Sequence, residues 1–274
     1  MNAGRTFEVF RQEFAHNLRR PLFWVLVVLL GFMVFMLSTG HASIGSGDAR
    51  VGGHKAWLTS EFALAQTLIM LISIIYVFFV SVAAGLAVIR DDEQKVGELI
   101  HSTPLQPAEY VWGKFLAVLA SFLGVLLLQV GFSMLCNHVL PHGSNAEYIG
   151  PFSAVNYLRP VLVFAIPTLV LFTGACFAIG GWSRLPVLVF AFPIVVLLLD
   201  AFFLWEWSPS WLPLGVNRLL QFADPTGLRW LKETWLLVDR GVDFYNTAPL
   251  GLDGLVIAQR VTVLISGLAF VALY

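Results

Sequence analysis

Long stretches without a charged residue are the feature that most constrains how this sequence can fold. Uncharged runs cover residues 21–37, 62–89, 115–136, 160–183 and 185–199, and the last one resumes after Asp200 and reaches Trp205. A helix that crosses the hydrocarbon core of a bilayer needs about 20 predominantly apolar residues. The runs therefore predict membrane spans at 21–37, 62–89, 115–136, 160–183 and 185–205.

A sixth uncharged run begins at Val261 and reaches the last residue, Tyr274, without a polar exit. This run is shorter than a bilayer crossing requires. We interpret residues 261–274 as a sixth span that is cut short, which predicts a longer protein that continues past residue 274. Residues 1–274 are interpreted as one transmembrane domain.

The composition agrees with a membrane protein. Hydrophobic residues make up 58% of the sequence and charged residues only 12%, and both values lie outside the range of an ordinary soluble domain. The net charge of -1 gives no basic excess, so nucleic acid is not an expected partner. We predict an all-α, polytopic protein of six transmembrane helices, in contact with membrane lipid.

The distribution of basic residues predicts the orientation, because Lys and Arg favour the cytosolic loops. If the N-terminus is cytosolic, the inner segments carry Arg5, Arg11, Arg19, Arg20, Arg90, Lys95, Lys114 and Arg184. The two short outer loops carry only Arg50, Lys55 and Arg159. We therefore expect a multi-pass protein of the cell inner (plasma) membrane with its N-terminus in the cytosol.

Residues 1–20 precede the first span and have the pattern of an amphipathic helix. Phe7, Phe10, Phe14 and Leu18 recur at helical spacing, with polar residues between them. Such a helix is expected to lie in the headgroup plane before the chain enters the bilayer at Pro21. The alternative is a soluble helix packed on a partner.

Residues 206–260 are expected to form an outer interfacial segment. The sequence Asp224-Pro225-Thr226-Gly227 is a helix-start signal, and Leu228, Leu231, Trp235 and Val238 then fall on one helical face. Several tryptophans also occur here, and tryptophan favours the headgroup level. The pattern predicts a helix whose apolar face touches the outer membrane surface.

The densest polar cluster lies between the second and third predicted spans, at residues 90–114. It begins Arg90-Asp91-Asp92-Glu93, and Leu99 and Ile100 interrupt the charges, which predicts a short amphipathic helix that ends at Pro104. The alternative is a solvated loop whose charges keep it out of the lipid.

The motifs of this cluster resemble a known family. Arg90-Asp91-x-Glu93, then Glu98-Leu99-Ile100, then Ser102-Thr103-Pro104-Leu105 and Tyr110-x-x-Gly113-Lys114-Phe115 are similar to the cytosolic coupling segment of type-2 ABC exporter permeases. The segment Arg11-x-Glu13-Phe14, leading through Arg19-Arg20-Pro21, is similar to their elbow helix. Many members have Gly-Thr where this sequence has Lys95-Val96.

A second set of motifs resembles one subgroup of that family. Asp224-Pro225-x-Gly227-Leu228, Asn246 and Gln259-Arg260 are similar to permeases fused to a C-terminal zinc aminopeptidase domain. The His-Glu-x-x-His zinc signature of such a peptidase does not occur in these 274 residues, so the domain would lie beyond Tyr274.

The resemblance implies a permease subunit of an ATP-driven exporter for a hydrophobic or amphiphilic substrate. The chain has no G-x-x-x-x-G-K-[ST] loop, so ATP and magnesium are expected on a separate cytosolic ATPase, and no cofactor, catalytic residue or metal site is expected here. A second permease subunit would complete a homodimer or heterodimer. The residues expected to couple to the ATPase are Arg90, Asp91, Glu93, Glu98, Pro104, Tyr110, Gly113 and Lys114.

Polar residues and prolines inside the spans are candidates for the substrate pathway or for gating, because buried polar groups are costly in lipid and prolines bend helices. They are Gln129, Pro167, Pro193 and Asp200. For Asp200 the alternative is that it reaches the outer interface or pairs with a loop arginine.

Two other functions remain open at this point. The bundle could be the membrane anchor of a longer peptidase-containing protein with no transport of its own. A secondary transporter is disfavoured, because the sequence shows no inverted repeat and no chain of intramembrane charges.

Overall fold

A computed structural model of the chain describes residues 2–39, 57–93, 105–141, 147–183, 185–209 and 211–273, without the side chains of residues 90–93. Within these ranges the chain is helical and has no strand, which confirms the predicted all-α class. Six helices are long and apolar enough to cross a membrane. Spans 1 to 6 are Pro21–Ser38, Glu61–Ile89, Pro107–His138, Ala154–Ser183, Pro186–Trp205 and Gly254–Leu273.

The N-terminal helix, Ala3–Arg19, precedes span 1. We call the side of the bundle that carries this helix the proximal face and the opposite side the distal face. Because successive spans run in opposite directions, span 2 ends and span 3 begins on the proximal face, and span 5 ends and span 6 begins on the distal face.

Local sequence explains where several helices begin. Pro21, Pro107 and Pro186 stand at the first turn of spans 1, 3 and 5, where a missing N–H costs no helical hydrogen bond. Span 2 starts at a different kind of cap, because the Ser60 hydroxyl accepts a hydrogen bond from the Ala63 N–H at 3.3 Å.

Three spans contain a π-helical turn, at Ile72–Tyr76 in span 2, Val161–Ala165 in span 4 and Asp200–Trp205 in span 5. Such turns widen the helix locally and shift the register of the side chains that follow. In each of these spans, the side chains before and after the π turn therefore point in directions that a continuous α-helix would not give.

Span boundaries differ from the sequence prediction in a consistent way. Span 3 begins at Pro107 and not at residue 115, span 4 at Ala154 and not at 160, and span 6 at Gly254 and not at 261. In each case a charged residue, Lys114, Arg159 or Arg260, lies inside the helix and is paired by protein groups. Residues 107–114 therefore belong to span 3. Span 6 has the 20 residues needed for a crossing, so its length gives no support to a cut-short span; a longer protein stays a prediction.

Small residues let spans approach closely. A Cβ added to Gly174 in span 4 would overlap the Gly267 carbonyl oxygen of span 6, and one added to Gly85 in span 2 would overlap Val189 of span 5. Without a hydrophobic driving force between helices in lipid, such close backbone packing is a main source of helix association. Glycine is therefore required at these crossings.

The distal face carries shorter helices. We call Leu214–Ala223 the distal helix and Leu228–Leu231 the buried turn, which continues as a π turn, Lys232–Leu236; a further helix is Val242–Thr247. Leu228 and Leu231 do not form the membrane-facing surface predicted for them, because both are fully buried in a cluster with Phe62 of span 2 and Phe164 of span 4. The segment folds back into the bundle.

Candidate functional site

The N-terminal helix lies directly on the proximal end of span 3, and Gly113 makes this contact possible. A Cβ on Gly113 would come within 2.7 Å of the Val9 Cβ and 3.0 Å of the Thr6 carbonyl oxygen. No other residue type fits at this distance without moving one helix away from the other. Gly113, predicted as a coupling residue, is therefore a packing contact between the N-terminal helix and span 3.

Lys114 joins the N-terminal helix to spans 2 and 3. Its side chain is buried, with the ammonium nitrogen 3.3 Å from the Glu13 carboxylate and 3.2 Å from the Ala87 carbonyl oxygen of span 2. The same nitrogen lies 4.8 Å from the centre of the Tyr110 ring. A buried ammonium is tolerated when it is paired and hydrogen-bonded, and here the partners come from separate helices. We call Glu13, Ala87, Tyr110, Gly113 and Lys114 the proximal junction.

Glu109 fixes the start of the N-terminal helix to the start of span 3. Its carboxylate accepts hydrogen bonds from the backbone N–H groups of Asn2 and of Gln106, the latter at 3.2 Å, and lies 3.9 Å from the Arg5 guanidinium. Sequence reasoning missed this residue. The signal was present in Gln106-Pro107-x-Glu109, which has the spacing of a capping box at a helix start.

The polar face of the N-terminal helix carries an exposed ion pair. Arg11 donates to the Glu8 carboxylate at 2.6 Å, and Gln12 donates to the same oxygen at 3.2 Å. These hydrogen bonds lower the pKa of Glu8, so this face remains charged at neutral pH.

The structure brings together only part of the predicted coupling set. Tyr110, Gly113 and Lys114 meet at the proximal junction, whereas Glu98 and Pro104 lie outside the described residues. Arg90, Asp91 and Glu93 belong to the helix Val77–Glu93, which carries span 2 past Ile89 on the proximal face. Their side chains lie outside the described part of the chain.

Gln129 is held inside the bundle by a single neighbour. Its side-chain oxygen accepts a hydrogen bond of 2.6 Å from the Tyr76 hydroxyl, and both side chains are buried. Tyr76 ends the π turn of span 2, and sequence reasoning missed it. The pair satisfies two polar groups that would otherwise be costly in lipid.

The candidate gating prolines are both buried. Pro167 follows the π turn of span 4, and Pro193 lies inside the helix Pro186–Leu199 of span 5, which continues past it. Next to Pro167, the Thr168 hydroxyl donates to the carbonyl oxygen of Pro225, in the loop between the distal helix and the buried turn, at 3.2 Å. Pro167 therefore lies where span 4 contacts this loop.

Asp200 begins the π turn at the distal end of span 5 and is 3% exposed. Among the described residues, no hydrogen-bond donor reaches its carboxylate. The expected alternative of a loop arginine is not seen there, because Arg229 pairs with Glu233 at 3.0 Å. A buried carboxylate without a partner is the kind of intramembrane group that marks a functional position.

Arg229 and Lys232 bind the carbonyl groups at the end of span 5. Arg229 donates to the carbonyl oxygens of Leu204 at 2.8 Å and Trp207 at 3.0 Å, and Lys232 donates to that of Trp205 at 3.0 Å. The last carbonyls of a helix have no partner within it, and cations near them are favourable. The buried turn therefore caps span 5.

Arg260 connects span 6 to the loop that precedes the buried turn. Its buried guanidinium donates to the carbonyl oxygens of Asp224 at 3.3 Å and Thr226 at 3.1 Å, and to the Thr168 hydroxyl of span 4 at 3.4 Å. Gly227 adopts φ +83°, and a Cβ there would lie 3.1 Å from the guanidinium. We call Thr168, Asp224, Thr226, Gly227 and Arg260 the distal network.

Asp224 organises this loop from within. Its side chain accepts hydrogen bonds from the Thr226 N–H at 2.8 Å, the Thr226 hydroxyl at 2.7 Å and the Arg229 N–H at 2.8 Å. The motifs quoted from the sequence for this region, Asp224-Pro225-x-Gly227 and Gln259-Arg260, thus form one structural unit. Their sequence positions gave no indication of the contact.

A known protein family matches most of the chain. The family model described as ABC-2 family transporter protein matches residues 7–204. The match starts in the N-terminal helix and ends in span 5, so it includes the proximal junction and excludes the distal helix, the buried turn and span 6. No curated protein matches the chain.

Proposed function

The chain belongs to the ABC-2 family of transporter proteins, and from that membership we propose that it is the permease subunit of an ATP-driven exporter for a hydrophobic or amphiphilic substrate. ABC-2 permeases are transport subunits that work with a cytosolic ATPase. ATP and magnesium would bind that partner, because this sequence has no phosphate-binding loop of the Walker type.

The proximal junction is the observation that carries the proposal. The ATPase would dock on residues 90–106, where Arg90, Asp91, Glu93, Glu98 and Pro104 supply charge and shape. A displacement of that segment would reach Lys114 through the start of span 3. Because Lys114 binds both Glu13 and the Ala87 carbonyl, the N-terminal helix and span 2 would move with it.

The substrate class is supported by the spans themselves. Gln129, Pro167, Pro193 and Asp200 are proposed to line or gate the pathway, and all four are buried within the spans. Exposed apolar side chains on spans 1 and 5, such as Val28, Phe202 and Phe203, offer surface to lipid and to a second permease subunit. That subunit would be identical or a close relative.

The orientation is proposed from the distribution of Lys and Arg, which places the proximal face in the cytosol and the protein in the plasma membrane. A reporter fused after Leu105 should read cytosolic and one fused at Gly143 should read external. The reverse pattern would overturn the orientation.

We also propose that the chain belongs with the permeases that are fused to a zinc aminopeptidase. The support is that, of the residues that carry the resemblance, Asp224, Gly227, Gln259 and Arg260 meet at the distal network, whereas Asn246 accepts a hydrogen bond from the Trp57 N–H. A His-Glu-x-x-His signature in the same reading frame would support this assignment, and a stop codon without one would contradict it.

The permease assignment is tested by charge reversal at the docking segment. A variant with Glu93→Lys and Glu98→Lys should lose the ATPase activity that co-purifies with the tagged wild-type chain from native membranes. Glu8→Lys, which changes an exposed charge on the N-terminal helix, is the matched control. Unchanged co-purifying activity in the double variant would overturn the coupling role.

A further inference from the structure

The distal helix turns its polar side chains toward the protein. The side-chain amides of Asn217 and Gln221 donate to the Glu233 carboxylate at 2.7 and 2.6 Å, and the Asn217 oxygen accepts from Arg229 at 2.5 Å. Glu233 also accepts from the Ser208 hydroxyl at 3.1 Å. These bonds fix the rotation of the helix about its own axis.

The outward side of the distal helix is apolar. Leu214 is 67% exposed and Leu219 66%, and Trp211, just before the helix, is 72% exposed. Trp211 contacts Trp207, with ring centroids 5.9 Å apart. This surface continues onto the exposed apolar side of span 5. Leaving large apolar side chains in water is unfavourable by roughly 25 cal/mol per Å² of apolar surface, so another apolar phase is needed to cover them.

Arg218 supplies a positive charge beside this apolar surface, directly before Leu219 in the sequence. It is exposed, and within the described part of the chain no acidic side chain pairs with it. A basic residue beside leucines, with tryptophans at the helix start, is the composition of a helix that lies at a lipid interface. The charge favours a phosphate as the polar group that lies next to the leucines.

We propose that the distal helix is a phospholipid-binding helix, in which Trp211, Leu214 and Leu219 contact acyl chains of the adjacent leaflet and Arg218 binds a lipid phosphate. On this helix an exposed apolar surface and a basic residue without an acidic partner among the described residues occur together. This inference goes beyond the permease assignment and does not depend on an ATPase.

The bound lipid would be connected to span 5 through named contacts. Glu233 holds the distal helix through Asn217 and Gln221, and the same carboxylate pairs with Arg229. Arg229 in turn binds the carbonyl groups at the end of span 5. Lipid contact therefore fixes the position of the helix that supports the cap of span 5.

Fluorescence quenching tests which phase covers the surface. In a background where the buried Cys136 and Cys176 are replaced by alanine, Leu219→Cys is labelled with bimane and the protein is reconstituted in nanodiscs. Phosphatidylcholine with brominated acyl chains should quench this label, and iodide should not. Asp243→Cys, on an exposed polar position of Val242–Thr247, is the control that iodide should quench.

Two outcomes of that experiment would overturn the proposal. Quenching of the Leu219 label by iodide alone would mean that water covers the surface. Disulfide formation between unlabelled Leu219→Cys chains treated with a mild oxidant, together with no quenching of the labelled chain by brominated lipid, would mean that a second copy of the chain covers it.

Lipid retention tests the role of Arg218. Native mass spectrometry of protein titrated with palmitoyl-oleoyl phosphatidylglycerol should show binding that Arg218→Glu weakens by at least about fivefold, the effect of removing one basic residue from an anionic surface. Arg218→Lys should retain binding. If Arg218→Glu elutes as wild type in size-exclusion chromatography and binds the lipid as tightly as wild type, the phosphate contact is overturned. If Arg218→Glu does not fold, Arg218→Gln replaces it, and the same weakening is expected.

Discussion

Lys114 of span 3 lies 3.3 Å from Glu13 of the N-terminal helix, and its ammonium group also donates to the Ala87 carbonyl oxygen of span 2 at 3.2 Å. This ion pair and hydrogen bond connect the N-terminal helix to spans 2 and 3, the two spans that residues 90–106 join in the sequence. Tyr110, Gly113 and Lys114, which the sequence places in the polar segment between two spans, therefore lie in a helix and contact two other helices.

Breaking this pair should both destabilise the protein and uncouple it. Lys114→Met leaves Glu13 without its cation, and removing one member of a buried ion pair costs about 3–5 kcal/mol. We expect a lower thermal unfolding midpoint and loss of ATP-driven transport. Glu8→Gln breaks an exposed pair with Arg11, which water and salt screen, and should change neither. An unchanged midpoint in Lys114→Met would contradict the junction.

Gly113 should not tolerate a larger residue. Gly113→Val would place a side chain against Val9, and overpacking of this kind costs about 1–3 kcal/mol. The double variant Gly113→Val, Val9→Gly should recover part of the loss, which thermal unfolding in detergent can measure. Gly124→Val, also in span 3 but with no atom within 4 Å of an added Cβ, is the matched control. Equal losses in both single variants would argue against a specific contact.

Variants of the Tyr76–Gln129 pair can distinguish a structural role of Gln129 from a role in transport. Tyr76→Phe leaves the buried Gln129 amide oxygen without its donor and should cost about 1–3 kcal/mol. The double variant Tyr76→Phe, Gln129→Leu removes both polar groups and should recover stability. If the double variant transports as well as wild type, Gln129 does not serve the pathway; if it is stable but inactive, the pathway role gains support.

Arg260 should be needed for the distal face to form. Arg260→Met leaves the Thr226 carbonyl oxygen without its donor, at about 1–3 kcal/mol for an unsatisfied group, whereas the Asp224 carbonyl oxygen still accepts from the Gln259 amide. We expect a lower thermal midpoint and faster proteolysis at residues 206–253. Arg240→Met removes an exposed arginine that lies 4.6 Å from the Trp235 ring centre, and serves as the control. Wild-type protease resistance in Arg260→Met would contradict the network.

Sequence reasoning located the proximal junction but not its geometry. Tyr110, Gly113 and Lys114 were predicted as coupling residues, and they do meet. Their partners Val9, Glu13 and Ala87 lie far away in the sequence, and no local pattern indicates which helix faces which. Glu109 was missed although its capping-box spacing was present, whereas Tyr76 gave no signal, because a tyrosine inside an apolar run reads as one more apolar residue.

The sequence by itself determined the helical class, the approximate place of each span and the amphipathic N-terminal helix. Lipid cannot satisfy backbone N–H and C=O groups, so a long apolar run has to be a helix whatever surrounds it. The motifs of residues 90–114 likewise carried the family resemblance, because they are local in the chain.

Only the tertiary structure decided where the spans end and where the charged residues lie. Lys114, Arg159 and Arg260 read as membrane boundaries because an isolated charge is excluded from lipid, yet each lies within a span. A carboxylate or a set of carbonyl groups from another helix removes that cost, and such partners exist only after the helices have packed. For the same reason Leu228 and Leu231, predicted to touch the membrane surface, are buried in the bundle, whereas Leu214 and Leu219 of the distal helix stay exposed.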